Sequence, residues 1–302
     1  MSDELVSVCP RCGVAALITD RFCEACGARL APVADGGTDL GDRREIDAGN
    51  AAGLTNPGLV KPRNQDALYL ERISGRVVAV VCDGVSSSAG AETAARVACT
   101  AAGRSLSREH VVAAPESEMR EAAEVAQRAV LSLTDEPVSS PSPLAPACTF
   151  VAAVWDGRTI TVGSIGDSRA YWVDAETAHR LTSDHSWARE QVDAGMMTTE
   201  EAEADPRAHQ ITHWIGAGAP DDAPAVTTFV PERPGRLAVC SDGLWNYAAA
   251  ADDLAIWMRD ADSDAAIDVA RSLVDRALAA GGSDNITVAV IDVVPTAEGV
   301  EP

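Results

Sequence analysis

No stretch of this 302-residue chain is both long enough and apolar enough to span a bilayer. The longest apolar runs are strand-sized, such as residues 77–82 (VVAVVC), against the roughly 18 to 20 residues that a membrane helix needs. Met1-Ser2-Asp3-Glu4 is acidic and offers no apolar signal region, which predicts a soluble, cytoplasmic protein. Basic residues are scarce: 24 Lys and Arg stand against 46 Asp and Glu, for a formal charge of −22. A nucleic-acid surface needs clustered cations, so that balance argues against one. The acidity serves solubility, and it also supplies carboxylates that can gather where cations bind. Disorder is not signalled over most of the length, because 46% of residues are hydrophobic, and no internal repeat is present.

Without a secretory signal, the eight cysteines do not read as a disulfide framework. Cys82, Cys99, Cys148 and Cys240 sit singly, mostly beside apolar runs, as small buried thiols do. The other four form two C-x-x-C-G turns, Cys9-Pro-Arg-Cys12-Gly13 and Cys23-Glu-Ala-Cys26-Gly27. Two such turns supply the four soft ligands of a closed tetrahedral Zn²⁺ site. Redox dithiols are the alternative, but the surrounding βαβ pattern is missing. A closed site has no open coordination position, so this Zn²⁺ is expected to fold a segment too short for its own core. The segment resembles the zinc ribbons found at the ends of many bacterial proteins. With few basic residues nearby, protein docking is the better expectation than nucleic acid.

Three regions follow: a zinc ribbon over residues 1–30, a flexible Gly- and Asp-rich linker over 31–50, and a folded domain over 51–295. Within that domain, β-branched or alternating runs predict strands at 66–72, 76–82, 148–155, 159–165, 170–173, 236–240 and 285–293. Asp156-Gly157-Arg158 joins two of them as a hairpin. Helical spacing predicts helices at 91–106 and 115–133, a third capped by Ser263 and ending at Gly281-Gly282, and shorter ones at 187–194 and 252–259. Strands come in neighbouring runs and helices in pairs, which favours an α+β fold of layered sheets flanked by helices.

Four aspartates stand at the ends of strand-like runs: Asn64-Gln65-Asp66, Cys82-Asp83-Gly84, Ser241-Asp242-Gly243 and Ser283-Asp284-Asn285. Hard cations such as Mg²⁺ and Mn²⁺ prefer carboxylates, backbone carbonyls and water. Any one Asp-Gly is usually a turn; it is the combination that points to a metal centre.

In that combination the chain resembles the metal-dependent protein phosphatases of the type 2C (PPM) class, bacterial type. The resemblance covers roughly residues 52–293 and runs in the family's motif order. It includes Gly58-Leu-Val-Lys-Pro-Arg-Asn-Gln-Asp66, Val80-Val-Cys-Asp-Gly84, Gly166-Asp-Ser-Arg-Ala170, Leu181-Thr-Ser-Asp-His-Ser186, Ser241-Asp-Gly-Leu-Trp245 and Gly282-Ser-Asp-Asn-Ile-Thr-Val288. It implies a four-layer α-β-β-α sandwich of two antiparallel sheets. It further implies that Asp83 bridges two Mn²⁺ or Mg²⁺ ions, that the Gly84 carbonyl completes the first site, and that Asp242 and Asp284 complete the second. Asp66 would hold metal-bound water, and Asp167 would help bind a weaker third ion, unless it is a turn carboxylate paired with Arg169. The implied reaction is hydrolysis of phosphoserine and phosphothreonine proteins, substrates of a cognate kinase. A hydroxide bridging two ions about 3.5–4 Å apart would attack phosphorus directly, with no phosphoenzyme.

The pattern has departures. The family usually has Arg, which forks onto the substrate phosphate, where this chain has Lys61, a point charge. Val85-Ser86-Ser87-Ser88 replaces a glycine-rich loop, and Val85 stands where animal members carry a histidine acid. Gln65 replaces an acidic residue found in many relatives. His185 is the nearest candidate acid, against a structural role. No implied ligand is lost. Two other functions remain in view: a phosphoprotein-binding scaffold without turnover, motivated by Lys61 and the serine loop, and a regulator whose ribbon binds nucleic acid, opposed by the −22 charge.

Overall fold

The computed structural model describes residues 42–108, 114–133, 145–220, 223–261 and 263–295, together with short strands at 6–8, 15–17 and 38–39. Two compact units are present, residues 1–37 and 38–302. In the first, β1 (Val6–Val8) pairs antiparallel with β2 (Ala15–Leu17). Cys9, Cys12, Cys23 and Cys26 lie outside the described residues.

The second unit opens with β3 (Thr38–Asp39), β4 (Arg44–Asp47), β5 (Ala51–Asn56), β6 (Asp66–Ile73) and β7 (Arg76–Asp83), followed by α1 (Ala91–Leu106) and α2 (Pro115–Leu131). Next come β8 (Ala147–Cys148), β9 (Phe150–Trp155), β10 (Ile160–Ile165), β11 (Arg169–Asp174) and β12 (Ala178–Arg180). The short helices α3 (Trp187–Asp193) and α4 (Thr199–Glu203) precede β13 (Ile215–Gly216), β14 (Ala225–Phe229) and β15 (Gly235–Cys240). The chain then forms α5 (Asp242–Trp245), α6 (Ala251–Arg259), α7 (Ala266–Ala279) and β16 (Ile286–Val293).

Two antiparallel sheets dominate, one ordered β14-β10-β9-β7-β6 and the other β12-β11-β15-β16-β5-β4-β3. Period-two alternation explains how they stack. On β7, Val78, Val80 and Cys82 pack with Ala95, Ala98 and Ala102 of α1 and Met119 and Ala126 of α2. The intervening Val77, Ala79 and Val81 turn inward to Trp172, Leu237, Val239 and Ile291 of the other sheet. On β16, Val288 and Val290 meet Val269, Leu273 and Val274 of α7, while Ala289 and Ile291 face the first sheet. Both strands are therefore buried on two sides, and each reads as a continuous apolar run. The result is the four-layer α-β-β-α sandwich, and each fully buried large side chain in it contributes about 1.5–3 kcal/mol.

Three expectations need correction. Residues 31–50 are not all linker: Arg44–Asp47 pairs with β5 through Ile46↔Gly53, because Ile46 is buried in the core between the sheets. Ser263 does not cap α7; its Oγ accepts from Ala265 N at 3.1 Å, and Ala265 precedes the helix without a side-chain cap. The run at 148–155 is cut at Thr149, which leaves the strand to bond Asp83. The hairpin at Asp156-Gly157-Arg158 forms as read, with Trp155 opposite Ile160 and Gly157 at φ 94°. No helix among the described residues is long and apolar enough to cross a membrane.

Candidate active site

The strand-end aspartates meet where one end of each sheet faces the other. Asp66 opens β6 and Asp83 closes β7, and the register of that hairpin sets them opposite each other. Asp83 is fixed through its backbone: its N–H donates to Thr149 Oγ1 at 3.0 Å, and its carbonyl accepts from Thr149 N at 2.7 Å. Thr149 Oγ1 also shares a 2.7 Å hydrogen bond with Ser168 Oγ, which ties this turn to Gly166-Asp167-Ser168. Gly84 passes tightly between segments; a Cβ there would lie 2.7 Å from Ala91 O and 2.8 Å from Gln65 O.

From the second sheet, Ser241 follows β15 and its Oγ donates to Asp66 Oδ2 at 2.7 Å, a bond that crosses between the sheets. The same Oγ accepts from Thr287 N at 3.1 Å. Asp242 starts α5, and Gly243 lets that helix press onto the turn before β16, where a Cβ would sit 1.9 Å from Asn285 O. Asp284 lies in that turn. Its Oδ2 is 3.0 Å from Lys61 Nζ, and its Oδ1 accepts from Asn285 N at 2.8 Å. Asn285 anchors the loop between β5 and β6: its Oδ1 accepts from Gln65 N at 2.7 Å, and its Nδ2 donates to Pro57 O at 2.8 Å and Arg63 O at 2.9 Å.

Electrostatically this is a crowd of like charges. Burial, reinforced by Asp66, Asp242, Asp167 and Asp284, pushes the Asp83 carboxyl well above its usual range. Burial, with repulsion from Asp242 and Asp284, lifts Asp66 to about 7 against the opposing hydrogen bonds of Thr287 and Ser241. Asp167 rises to about 7 through burial and the nearby Asp242 and Asp184. Asp242 is raised by burial and Asp284, partly offset by Lys61. Asp66 Oδ1 is buried and has no hydrogen-bond partner. Surplus carboxylates, an unpaired buried oxygen and an all-oxygen donor set are what a hard divalent cation satisfies. As the side chains stand, no three Asp, Glu, His or Cys among the described residues close around one point. Asp284 is turned to Lys61 instead.

All of the aspartates singled out in the sequence are brought together, and Lys61 with them. Asp167 is not a partner of Arg169, whose guanidinium grips Asp184 at 2.9 and 2.5 Å; Trp245 Nε1 donates to the Asp167 carbonyl at 2.9 Å. His185 is held in place: its Nδ1 accepts from Gly166 N at 3.1 Å, and its ring packs against His213 at a 40° tilt. Arg63 is exposed, and only its carbonyl is held. Sequence reasoning assigned nothing to Ser241, Asn285 or Thr149. Ser241 and Asn285 stand inside the aspartate motifs, but their partners lie far away in the chain, and Thr149 is 66 residues from the Asp83 it holds.

Raised carboxylate pKa values carry a stability consequence. A folded-state pKa above the ordinary value near 4 means the protein gains stability at low pH and loses it as pH rises through the folded value. Chelator-treated protein is therefore expected to show a thermal midpoint that falls between about pH 5 and 7.5 and then levels, as Asp66 and Asp167 ionise. Saturating Mn²⁺ should remove this slope and stabilise more at the upper pH, because cations prefer ionised carboxylates. Melts with EDTA and with Mn²⁺ across that range decide it; a midpoint that rises with pH in EDTA refutes the repulsion.

Comparison with known proteins identifies the class. The family profile described as protein phosphatase 2C matches residues 60–275, and the chain belongs to that family. "Protein phosphatase PhpP" of Streptococcus pneumoniae is 40% identical over 143 residues, which are 47% of this chain and 55% of that protein. The chain thus spans about half the length of the curated relatives it matches. The solved serine/threonine phosphatase of S. agalactiae superposes with a TM-score of 0.70 at 28% identity, covering 80% of this chain and 98% of that one. The catalytic domain of the phosphatase PstP, solved in complex with two manganese ions, shares the fold at a TM-score of 0.63 and 23% identity, covering 81% and 97%.

Proposed function

We propose that this chain is a metal-dependent protein phosphatase that hydrolyses phosphoserine and phosphothreonine. The observation that carries the reading is the gathering of Asp66, Asp83, Asp242, Asp284 and Asp167 from both sheets into one acidic cluster, with Lys61 paired to Asp284 at its edge. Family membership and the names of its relatives support it.

Asp83 and the Gly84 carbonyl would hold one Mn²⁺ or Mg²⁺, and Asp83, Asp242 and Asp284 a second. Asp167 would serve a weaker third ion. Bound there, such a pair supplies Lewis acidity toward phosphoryl oxygens and makes water a usable nucleophile at neutral pH. Asp66 accepts from Ser241 on one oxygen and leaves the other free to orient water. Lys61 offers its ammonium to the phosphate dianion. Among the described residues no cysteine is placed to form a phosphoenzyme: Cys82, Cys99, Cys148 and Cys240 are all buried. His185 Nδ1 is engaged with the Gly166 N–H, which fixes the ring beside the Gly166-Asp167 turn.

In this reading Cys9, Cys12, Cys23 and Cys26 bind one structural Zn²⁺ in a ribbon that docks on a protein rather than on nucleic acid. The substrates are cytoplasmic phosphoproteins made by a cognate Ser/Thr kinase. Purified full-length chain should release phosphate from a phosphothreonine peptide with Mn²⁺ and stop when EDTA is added. Absence of turnover on several phosphopeptides with Mn²⁺ and Mg²⁺, at substrate-level protein, refutes the assignment.

A further inference from the structure

Lys61 is the one lysine among the chain's 24 lysine and arginine residues, and it stands beside the acidic centre. Its Nζ lies 3.0 Å from Asp284 Oδ2 and donates to Ser86 Oγ at 3.2 Å. The other Asp284 oxygen is taken by Asn285 N, so the carboxylate is engaged on both sides. An ammonium in this place does electrostatically what a metal ion would do: it neutralises the member of the cluster nearest the loop.

The pair is built to open. Both side chains are about a third exposed, 27% and 32%, and ion pairs that shallow are weak. A lysine meets a carboxylate as a single point charge, without the two-pronged grip of arginine. The backbone beneath it is held. Asn285 Nδ2 clamps Pro57 O and Arg63 O, and Leu59 N donates to Gly282 O at 2.8 Å. Only the side chain needs to move for Lys61 to let go of Asp284 and turn elsewhere, and the flexible four-carbon stem allows it.

We propose that Lys61 and a divalent cation compete for Asp284, and that the displaced ammonium is handed to the phosphate dianion of the substrate. Metal binding and phosphate binding then reinforce each other through one side chain, and by linkage the reinforcement is the same in both directions. The inference rests on the phosphatase reading for the identity of the two ligands. Lys61 becomes the device that couples them.

The test is Mn²⁺ binding to EDTA-dialysed full-length chain, read from the EPR signal of the free ion, with and without inorganic phosphate. Wild type, Lys61→Met and Arg63→Met are compared. Lys61→Met is expected to bind one Mn²⁺ about fivefold tighter than wild type without phosphate, the size that loss of a shallow competing ion pair gives. Phosphate should tighten Mn²⁺ binding to wild type more than to Lys61→Met, which keeps only the direct contact between phosphate and metal. Arg63→Met removes the same charge two residues away and should behave as wild type. Competition is overturned if Lys61→Met binds Mn²⁺ no tighter than wild type, or if Arg63→Met matches it, which would make the effect a general field. Phosphopeptide turnover without the Lys61→Met shift overturns this inference alone. The binding couplings without any turnover overturn the catalytic reading and uphold the competition.

Discussion

Asp83→Asn is expected to abolish phosphopeptide hydrolysis while leaving the protein folded and, in EDTA near pH 8, more stable than wild type. The first half follows from position. The pKa of Asp83 is pushed up by Asp66, Asp242, Asp167 and Asp284 alike, which places it among all of them, where a carboxylate can serve two cations at once. Asparagine keeps the shape and removes the charge. Loss of about 4 kcal/mol of transition-state stabilisation is about a thousandfold in rate, a modest demand for a residue proposed to be shared by two ions. The second half follows from the same crowding. Asp83 is held by Thr149 through its backbone, so the fold does not need the carboxylate. Without cations, its charge faces four others, and removing it relieves repulsion. A rise of about 2–4 °C in thermal midpoint in EDTA corresponds to about 1 kcal/mol for a domain of this size. Turnover with Mn²⁺ and melts in EDTA check both halves. Turnover within tenfold of wild type would falsify the assignment of Asp83 to the metals, and a lower EDTA midpoint would refute the repulsion.

The clustered aspartates were legible because each occupies a strand end in a short motif, and strand ends are readable from apolar runs that stop. What holds them was not. Asn285 contacts Pro57, Arg63 and Gln65, more than 200 residues away in the chain, and nothing local in Ser283-Asp284-Asn285 announces it. Lys61 was read as a cation for the substrate phosphate, and its pairing with Asp284, which depends on the approach of two loops from opposite ends of the domain, was not legible.

The same division runs through the fold. β7 and β16 are buried on both faces and read as unbroken apolar runs. β14, AVTTF, is an edge strand whose side chains are mostly exposed, and its polar threonines hide it. β5, AAGLTN, is wholly buried but made of small residues, because Leu68 of the facing sheet closes to within 2.6 Å of where a Gly53 Cβ would be. Small-residue strands fill tight spaces between layers, and hydrophobic patterning alone cannot separate them from loop. The helix α4 did carry a local signal: Thr198 and Glu201 form a reciprocal capping box at the start of a helix too short to show periodicity.

Arg169→Met is expected to be the most destabilising of the substitutions considered, because Gly166-Asp-Ser-Arg-Ala170 carries its arginine for Asp184 and not for Asp167. The guanidinium grips both Asp184 oxygens, lies 3.5 Å above the Trp245 ring, and donates to Tyr171 Oη at 3.2 Å. Burial works against its charge, but the Asp184 pair more than restores it. The two side chains are 8% and 11% exposed, so methionine would strand a buried carboxylate. Breaking one side of such a pair costs about 3–5 kcal/mol; Arg180 Nη1, 3.3 Å from Asp184 Oδ2, holds the expectation to the lower end. That is a fall of about 6–12 °C in thermal midpoint. Adding Asp184→Asn should recover part of it, since the stranded charge, more than the lost contact, carries the cost. The consequence reaches the site through Trp245, which stacks on Arg169 and bonds the Asp167 carbonyl, on the helix that begins at Asp242. Arg169→Met should therefore weaken Mn²⁺ binding even at temperatures where the protein stays folded. A variant that melts within about 2 °C of wild type shows the pair to be dispensable; one that melts early yet binds Mn²⁺ normally shows that Trp245 does not carry the strain to Asp242.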